Sequence, residues 1–260
     1  MFAKFKMELA KDEFGDKYTG DGIDLRETAA HHLEIDLNKY FLEDGSLSAS
    51  RIEADWFPEF DAHIFISHSH ADEQKALNFA GYLWKEYHIK SFIDSAVWGH
   101  SNDLLKKYDD IYCVDKKNAE GKITTYSYDK RNQSTTHIHM LLQGALAKMI
   151  DHCECLIFIN TPNSIQFTNK DVYQTASPWI YNELLTANFM RIKSPEEHRT
   201  PGNAAMHLYL LGGKITYNVQ LNTFVDLDIH DFQKAATQCE TINPEIILNQ
   251  LYLNKGLITK

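Results

Sequence analysis

The sequence predicts an α/β protein built on a central parallel β-sheet with helices on both faces. Three observations carry this reading. Short, wholly apolar runs recur, at Ile64-Phe65-Ile66, at Phe92-Ile93 and at Cys155–Ile159. Between them lie stretches with apolar residues at helical spacing: Leu77, Ala80, Leu83, Trp84 and Tyr87, then Ile138, Leu141, Leu142, Ala145, Leu146, Met149 and Ile150. Polar, turn-forming segments separate strand from helix, as in SHSHAD and DSAVWG. A strand that is apolar on both sides must be covered on both faces, and crossover helices of a parallel sheet provide that cover.

Each element follows in order. Residues 1–22 are polar and punctuated by glycine, which predicts irregular chain. Leu33, Leu37, Tyr40 and Phe41 predict a helix over 24–42, ended by Asp44-Gly45. A linker through Trp56-Phe57-Pro58 leads to the main domain at Asp61. Residues 103–136 break the rhythm: IYCVD and KITTYSYD flank KKNAEG, which predicts an inserted β-hairpin. Ser177-Pro178 opens a helix, with a capping side chain and a proline at its first position. His207–Leu211 and Thr216–Val225 read as strands, and 230–240 and 244–254 as closing helices. The division expected is a partly helical extension (1–60), a main domain (61–225) and C-terminal helices packed on it (226–260).

Composition bounds the function. The 260 residues are 43% hydrophobic and 24% charged, enough to bury a core and too apolar for disorder. No apolar run approaches a membrane span. The start, MFAKFKMELAKDEFGD, has no apolar core segment of a secretory signal, which predicts a cytoplasmic chain. The cysteines at 113, 153, 155 and 239 form no regular framework and are expected reduced. Net charge is −10, and residues 1–60 hold 14 acids against 7 bases, so −7 of it lies there. That balance argues against a nucleic-acid binder, which needs a basic face. A nucleotide ligand in a local pocket remains compatible with it. In a parallel sheet, ligands sit at the carboxyl ends of the strands. This places Ser67–Asp72, Asp94–Gly99 and Asn160–Ser177 around one expected site.

Four segments in order, DAHIFISHSHADE, SFIDSAVWG, CECLIFINTPNS and SPWIYNEL, resemble a TIR (Toll/interleukin-1 receptor) domain of the bacterial stand-alone kind. Phe65-Ile66-Ser67-His68-Ser69 matches the F-I-S-x-S end of that family's first strand, and Asp94–Gly99 the start of its BB loop. Ser177, Trp179, Glu183 and Leu184 match an S-x-W-x-x-x-E-L helix. The resemblance covers about residues 61–225. It departs at the inserted hairpin, which lies where a lid over the site is expected, and at the first 60 residues. It is similar to the TIR subunits of Thoeris anti-phage systems.

The resemblance implies a flavodoxin-like fold and an NAD⁺ glycohydrolase or cyclase. Such an enzyme makes a nucleotide signal or depletes NAD⁺ and assembles into a homo-oligomer on activation, with a separate effector sensing the product. NAD⁺ is then a substrate, and no cofactor is implied. Some TIR domains are adaptors without catalysis, so an interaction module is the second reading. The chemistry is coherent. Cleaving the nicotinamide–ribose bond expels a neutral group from a cation, so no general acid is needed, and one carboxylate can stabilise the oxocarbenium-like transition state. Glu183 is the candidate, one turn after Trp179. A helix-surface glutamate, partly exposed, is the bland alternative. Ser67, Ser69 and Asp72 are candidates for ribose or phosphate contact, although Ser69 or Asp72 equally suits a helix cap. Trp98 is a candidate for stacking on a base, or is packing in a loop. Asp94 either joins the site or forms the turn after its strand, and Trp179 flanks the glutamate. The pairs His68-x-His70 and His137-x-His139, with Cys153 and Cys155, invite a metal site, but no HExxH or CxxC supports one and none is expected.

Overall fold

Five short strands form the central sheet: β1 (Ala3–Met7), β2 (Ile64–Ser67), β3 (Ser91–Ile93), β6 (Cys155–Ile159) and β10 (Val225–Leu227). The structure is a computed structural model describing residues 1–10, 13–29, 37–43, 47–56, 60–168, 172–195, 217–219 and 221–258. All pairings in this sheet are parallel, in the order β10-β1-β6-β2-β3. The fold is α/β and flavodoxin-like. Counted from β2, the three strands β3-β2-β6 follow the 2-1-3 start of the flavodoxin order, and β1 fills the next place.

The expectation of irregular chain over 1–22 is therefore corrected. Ala3, Phe5 and Met7 are buried on one face while Lys4 and Lys6 alternate with them. Lys6 pairs with Asp226 at 3.1 Å, and Lys4 Nζ donates to Asn188 Oδ1 at 2.7 Å. Two lysines disguised a period-2 strand as polar coil.

Each face has its own core. Phe5, Ile64, Ile66, Ile157 and Ile159 face helix α3 (Glu73–Tyr87) and the C-terminal helices Ile229–Thr237 and Pro244–Asn254. Phe65, Phe92, Leu156 and Phe158 face α5 (Tyr128–His152) and α6 (Pro178–Phe189). The two closing helices fall where the apolar spacing predicts.

The N-terminal segment holds α1 (Thr19–Ala29) and α2 (Ala49–Trp56), so the helix expected over 24–42 is corrected: α1 covers only its start, the apolar Leu37 and Tyr40 on which it was argued lie in a separate 3₁₀ turn (Leu37–Tyr40), Phe41 pairs in a bridge with Leu47, and the expected linker is partly helical. Residues 30–36 and 44–46 lie outside those described. Helix α1 lies directly on α3. Asn78 Oδ1, on α3, accepts from Thr19 Oγ1 at 3.0 Å and Tyr18 N at 3.3 Å at the start of α1. The backbones almost touch: a Cβ on Gly22 would stand 2.0 Å from Leu77 O, and one on Gly81 would stand 2.1 Å from Tyr18 O.

The insertion is smaller than the sequence predicts. Helix α4 runs Ser95–Tyr112, since Leu104, Tyr108 and Tyr112 recur every four residues, and α5 begins at Tyr128. The hairpin itself is β4 (Val114–Lys117) against β5 (Ile123–Tyr126), antiparallel, with Gly121 at φ 79° in its turn. Asp109 anchors its base, accepting from Ser134 Oγ at 2.5 Å and Arg131 Nε at 2.8 Å. A second small sheet joins β7 (Gln166–Thr168), β8 (Val172–Thr175) and β9 (Tyr217–Val219), all antiparallel. Of the predicted strands, 207–211 lies outside the described residues, and 216–225 resolves into β9 and the start of β10. No helix among the described residues is long and apolar enough to cross a membrane.

Two stability tests follow. Gly81→Ala drives a methyl into backbone, which cannot yield as a flexible side chain does. Urea unfolding should show a loss of about 1–3 kcal/mol or more; an unchanged midpoint would contradict the close approach of α1 and α3. Replacing Asp115–Thr125 by a short Gly-Ser turn removes only exposed or half-exposed residues. Its melting temperature should stay within a few degrees of wild type, because little apolar area is lost.

Candidate functional site

Four polar side chains meet at the carboxyl edge of the sheet, where β2, β3 and α6 converge. Strand β2 ends in Ser67, and His68 follows it. Asp94 follows β3. Glu183 lies in the second turn of α6, whose start is fixed by Ser177 Oγ accepting from Ile180 N at 3.3 Å and by Pro178 at the first position. The edge between β2 and β6 is the point where strand order reverses, the usual ligand position in such sheets.

All four are buried. Relative exposure is 0% for Ser67, 4% for His68, 2% for Asp94 and 0% for Glu183. This corrects the alternative of a partly exposed helix-surface glutamate: Ile180, Leu184 and Ala187 carry α6 into the core, and Glu183 goes with them. Ser67 Oγ donates to Glu183 Oε2 at 2.6 Å. Glu183 Oε1 is buried without a hydrogen-bond partner, as is His68 Nε2. His68 Nδ1 stands 2.6 Å from Asp94 Oδ1, an ion-pair contact outside hydrogen-bond alignment.

These contacts set the charges. Burial, then the neighbouring Asp94 carboxylate, push the Glu183 carboxyl well above its usual range, against the lowering effect of the Ser67 donor. For His68, burial works against the imidazolium, but Asp94 outweighs it and the net shift is upward. The cluster thus favours a neutral Glu183 beside an Asp94–His68 ion pair.

The other expected residues divide. Ser69 takes the capping role, accepting from Ala71 N at 3.4 Å. Asp72 makes no side-chain cap to α3. Instead it ties together the loops after β2 and β6, accepting from Thr161 Oγ1 at 2.5 Å and Asn163 Nδ2 at 3.1 Å, with Lys75 Nζ at 3.1 Å. These donors hold Asp72 below the usual carboxylate range although burial opposes it. Trp179 is half-buried and packs edge-on against His139 of α5, ring centroids 5.4 Å apart. The expected BB loop at Asp94–Gly99 is corrected: α4 starts at Ser95, so Trp98 lies on a helix, and its side chain is outside the described residues. Asp94 precedes α4 without capping it.

His68 is the residue that sequence reasoning missed, having been weighed only as a metal ligand. Its place directly after a strand-end serine was the available signal. Thr161 and Asn163 lay inside an expected loop with no signal of their own. The metal candidates are dispersed: His70 and His137 are exposed, and Cys153 and Cys155 belong to cores on opposite faces of the sheet. Among the described residues no three His, Cys, Asp or Glu side chains form a metal-holding group. Compared with protein-family models, curated proteins and solved structures, the chain matches none.

The raised Glu183 carboxyl has a consequence for stability. The folded chain keeps that proton at pH values where an unfolded glutamate, near 4.5, has lost it. The stabilisation is complete below that value and is lost as pH rises through the folded one. Glu183→Gln has no such proton, so its stability relative to wild type should grow above pH ~4.5, by up to about 1.4 kcal/mol per pH unit within that window. Urea unfolding of both proteins across pH measures this; parallel curves would contradict a neutral Glu183.

Proposed function

We propose that this chain is a TIR-domain NAD⁺ glycohydrolase or ADP-ribosyl cyclase, similar to the stand-alone bacterial TIR proteins of Thoeris systems. One observation carries the reading. Two segments of the resemblance, 116 residues apart in sequence, meet in the buried Ser67–Glu183 hydrogen bond at the sheet's switch point. A carboxyl there, in a dry site, acts strongly on a developing positive charge. A cationic N-ribosyl pyridinium favours the ionised form of Glu183, so an arriving substrate draws out the charge that burial and Asp94 suppress. Ser67 holds the carboxyl in place and Asp94 adds negative potential. The product, linear or cyclic ADP-ribose, serves as a nucleotide signal for a separate effector, or the reaction depletes NAD⁺ in bacterial immunity. Activity accompanies self-assembly, with the hairpin beside the site as lid or interface.

A second reading, a TIR interaction module without catalysis, is favoured by a specific observation: Glu183 has 0% exposure, so catalysis requires the site to open.

The experiment follows nicotinamide release from NAD⁺ by assembled wild type and Glu183→Gln. Turnover should fall about 10²–10³-fold, with substrate binding little changed and the variant folded. Equal turnover in the two proteins removes Glu183 from catalysis. Silence from both, assembled, leaves the interaction module.

A further inference from the structure

We infer that the β4–β5 hairpin is a docking arm, and that it takes the acidic outer face of α1 on a second copy of this chain. This deepens the self-assembly proposed above, and its meaning for activity rests on that reading. The arm is built without a core. Its two strands form a sheet of their own, with no third strand on either edge among the described residues. Residues 115–122 are all exposed. A lone two-stranded ribbon is marginal in water, yet polar contacts brace this one at both ends. In the turn, Asn118 Oδ1 accepts from Glu120 N at 3.1 Å and from Lys122 N at 2.8 Å. At the root, Ser127 N donates to Cys113 O at 2.7 Å and the Tyr126 hydroxyl to Asp110 Oδ1 at 2.5 Å. Such bracing shapes the ribbon while burying little apolar area, so a core is not what it serves.

The arm is cationic in a chain of net charge −10. Lys116, Lys117 and Lys122 are exposed and make no ion pair among the described residues, against the carboxylates of Asp115 and Glu120. The counterpart lies near the other end of the sequence. Residues 8–28 hold seven acids against three bases. Two of those bases are matched at home, Lys17 by Glu86 at 3.9 Å and Arg26 by Glu73 at 3.0 Å. Gly22 turns one side of α1 onto the α3 backbone. Asp24 and Glu27, one turn apart, are exposed on the outer side, with Asp16 exposed just before the helix. These three carboxylates make no ion pair among the described residues, with the arm of their own chain or with anything else. One molecule thus carries an unmatched cationic arm and an unmatched anionic face, and a second copy supplies the complement to each. Two arms do not pair with one another, since they carry like charge and since edge lysines and the register shifts at Lys116 oppose strand addition. The contact is therefore heterologous, arm to α1, and repeats head to tail into a ring or an open chain. Exposed charge pairs are individually weak, which makes the assembly dependent on concentration and on low salt.

The test is sedimentation velocity across protein concentration, at ionic strengths of about 0.01 M and about 1 M, where charges reach about 30 Å and 3 Å. Wild type should self-associate at low salt and dissociate at high salt. Lys116→Glu with Lys117→Glu and Lys122→Glu should weaken association about tenfold or more, and so should Asp16→Lys with Asp24→Lys and Glu27→Lys. All six together should restore it, because the complement is rebuilt with its signs exchanged. Lys→Gln at the three arm positions, a milder change, should weaken it in the same direction. A wild type that stays monomeric, an association indifferent to salt or to either reversal, or six substitutions that fold without restoring it overturn the inference. So does arm-dependent binding of a single-stranded oligonucleotide, which assigns the arm to nucleic acid instead. None of these measurements needs NAD⁺. Full nicotinamide release by Glu183→Gln sinks the catalytic reading, while sedimentation of the charge variants still judges the arm.

Discussion

A strand inside a parallel sheet must satisfy both of its edges and both of its faces, and β1 meets all four demands with five residues. Its backbone pairs residue for residue with Cys155–Ile159 on one side and with Val225–Leu227 on the other. Its apolar side chains fill the core under the C-terminal helices, and its lysines reach Asp226 and Asn188 across the other face. The position of β6, and through it the closeness of β2 and α6, depends on this insertion. Without β1, β10 has no partner in the sheet, and β6 exposes the edge turned away from β2.

The same architecture explains how a polar cluster survives in a dry place. Burying two carboxyls costs several kcal/mol unless charge is removed or matched. Here burial and the neighbouring Asp94 push the Glu183 carboxyl above its usual range, towards its neutral form, and the His68 imidazole stands 2.6 Å from Asp94. Strand ends and a helix of a tightly packed sheet hold these groups together. Nearby, Asp72 solves the same problem differently, with three donors from the loop after β6 and from α3. One carboxylate is fully satisfied and structural, while the Glu183 carboxyl keeps an oxygen unpartnered.

Much of this was legible in the sequence, and the reasons are local. Wholly apolar runs identify β2, β3 and β6 because both faces of a parallel strand are covered. Ser177-Pro178 fixes the start of α6 because a cap and an N1 proline act within one turn. Strand β1 escaped because its neighbours in the sheet lie far along the chain, and its lysines lower the local hydropathy. Helix α4 escaped because its start, DSAVWG, is rich in turn-like residues, and its apolar positions only become a pattern once carried on to Tyr112. In the site, Ser67 and Asp94 follow from their places at strand ends, and Glu183 from its match to the S-x-W-x-x-x-E-L helix. His68 follows from neither, because its contact is with Asp94, 26 residues away and 2.6 Å from it.

The long reach of β1 has a cost in time. Its partner β6 lies about 150 residues further along the chain, so at roughly 5–20 residues per second the strand waits on the order of 10–30 s on the ribosome before it can pair. β10 comes later still. During that interval an apolar edge is unclaimed, in a topology whose non-local contacts close slowly. Lys4 and Lys6, which in the finished sheet merely reach polar neighbours, then act as gatekeepers: two like charges on a strand of five oppose its stacking on another copy of itself.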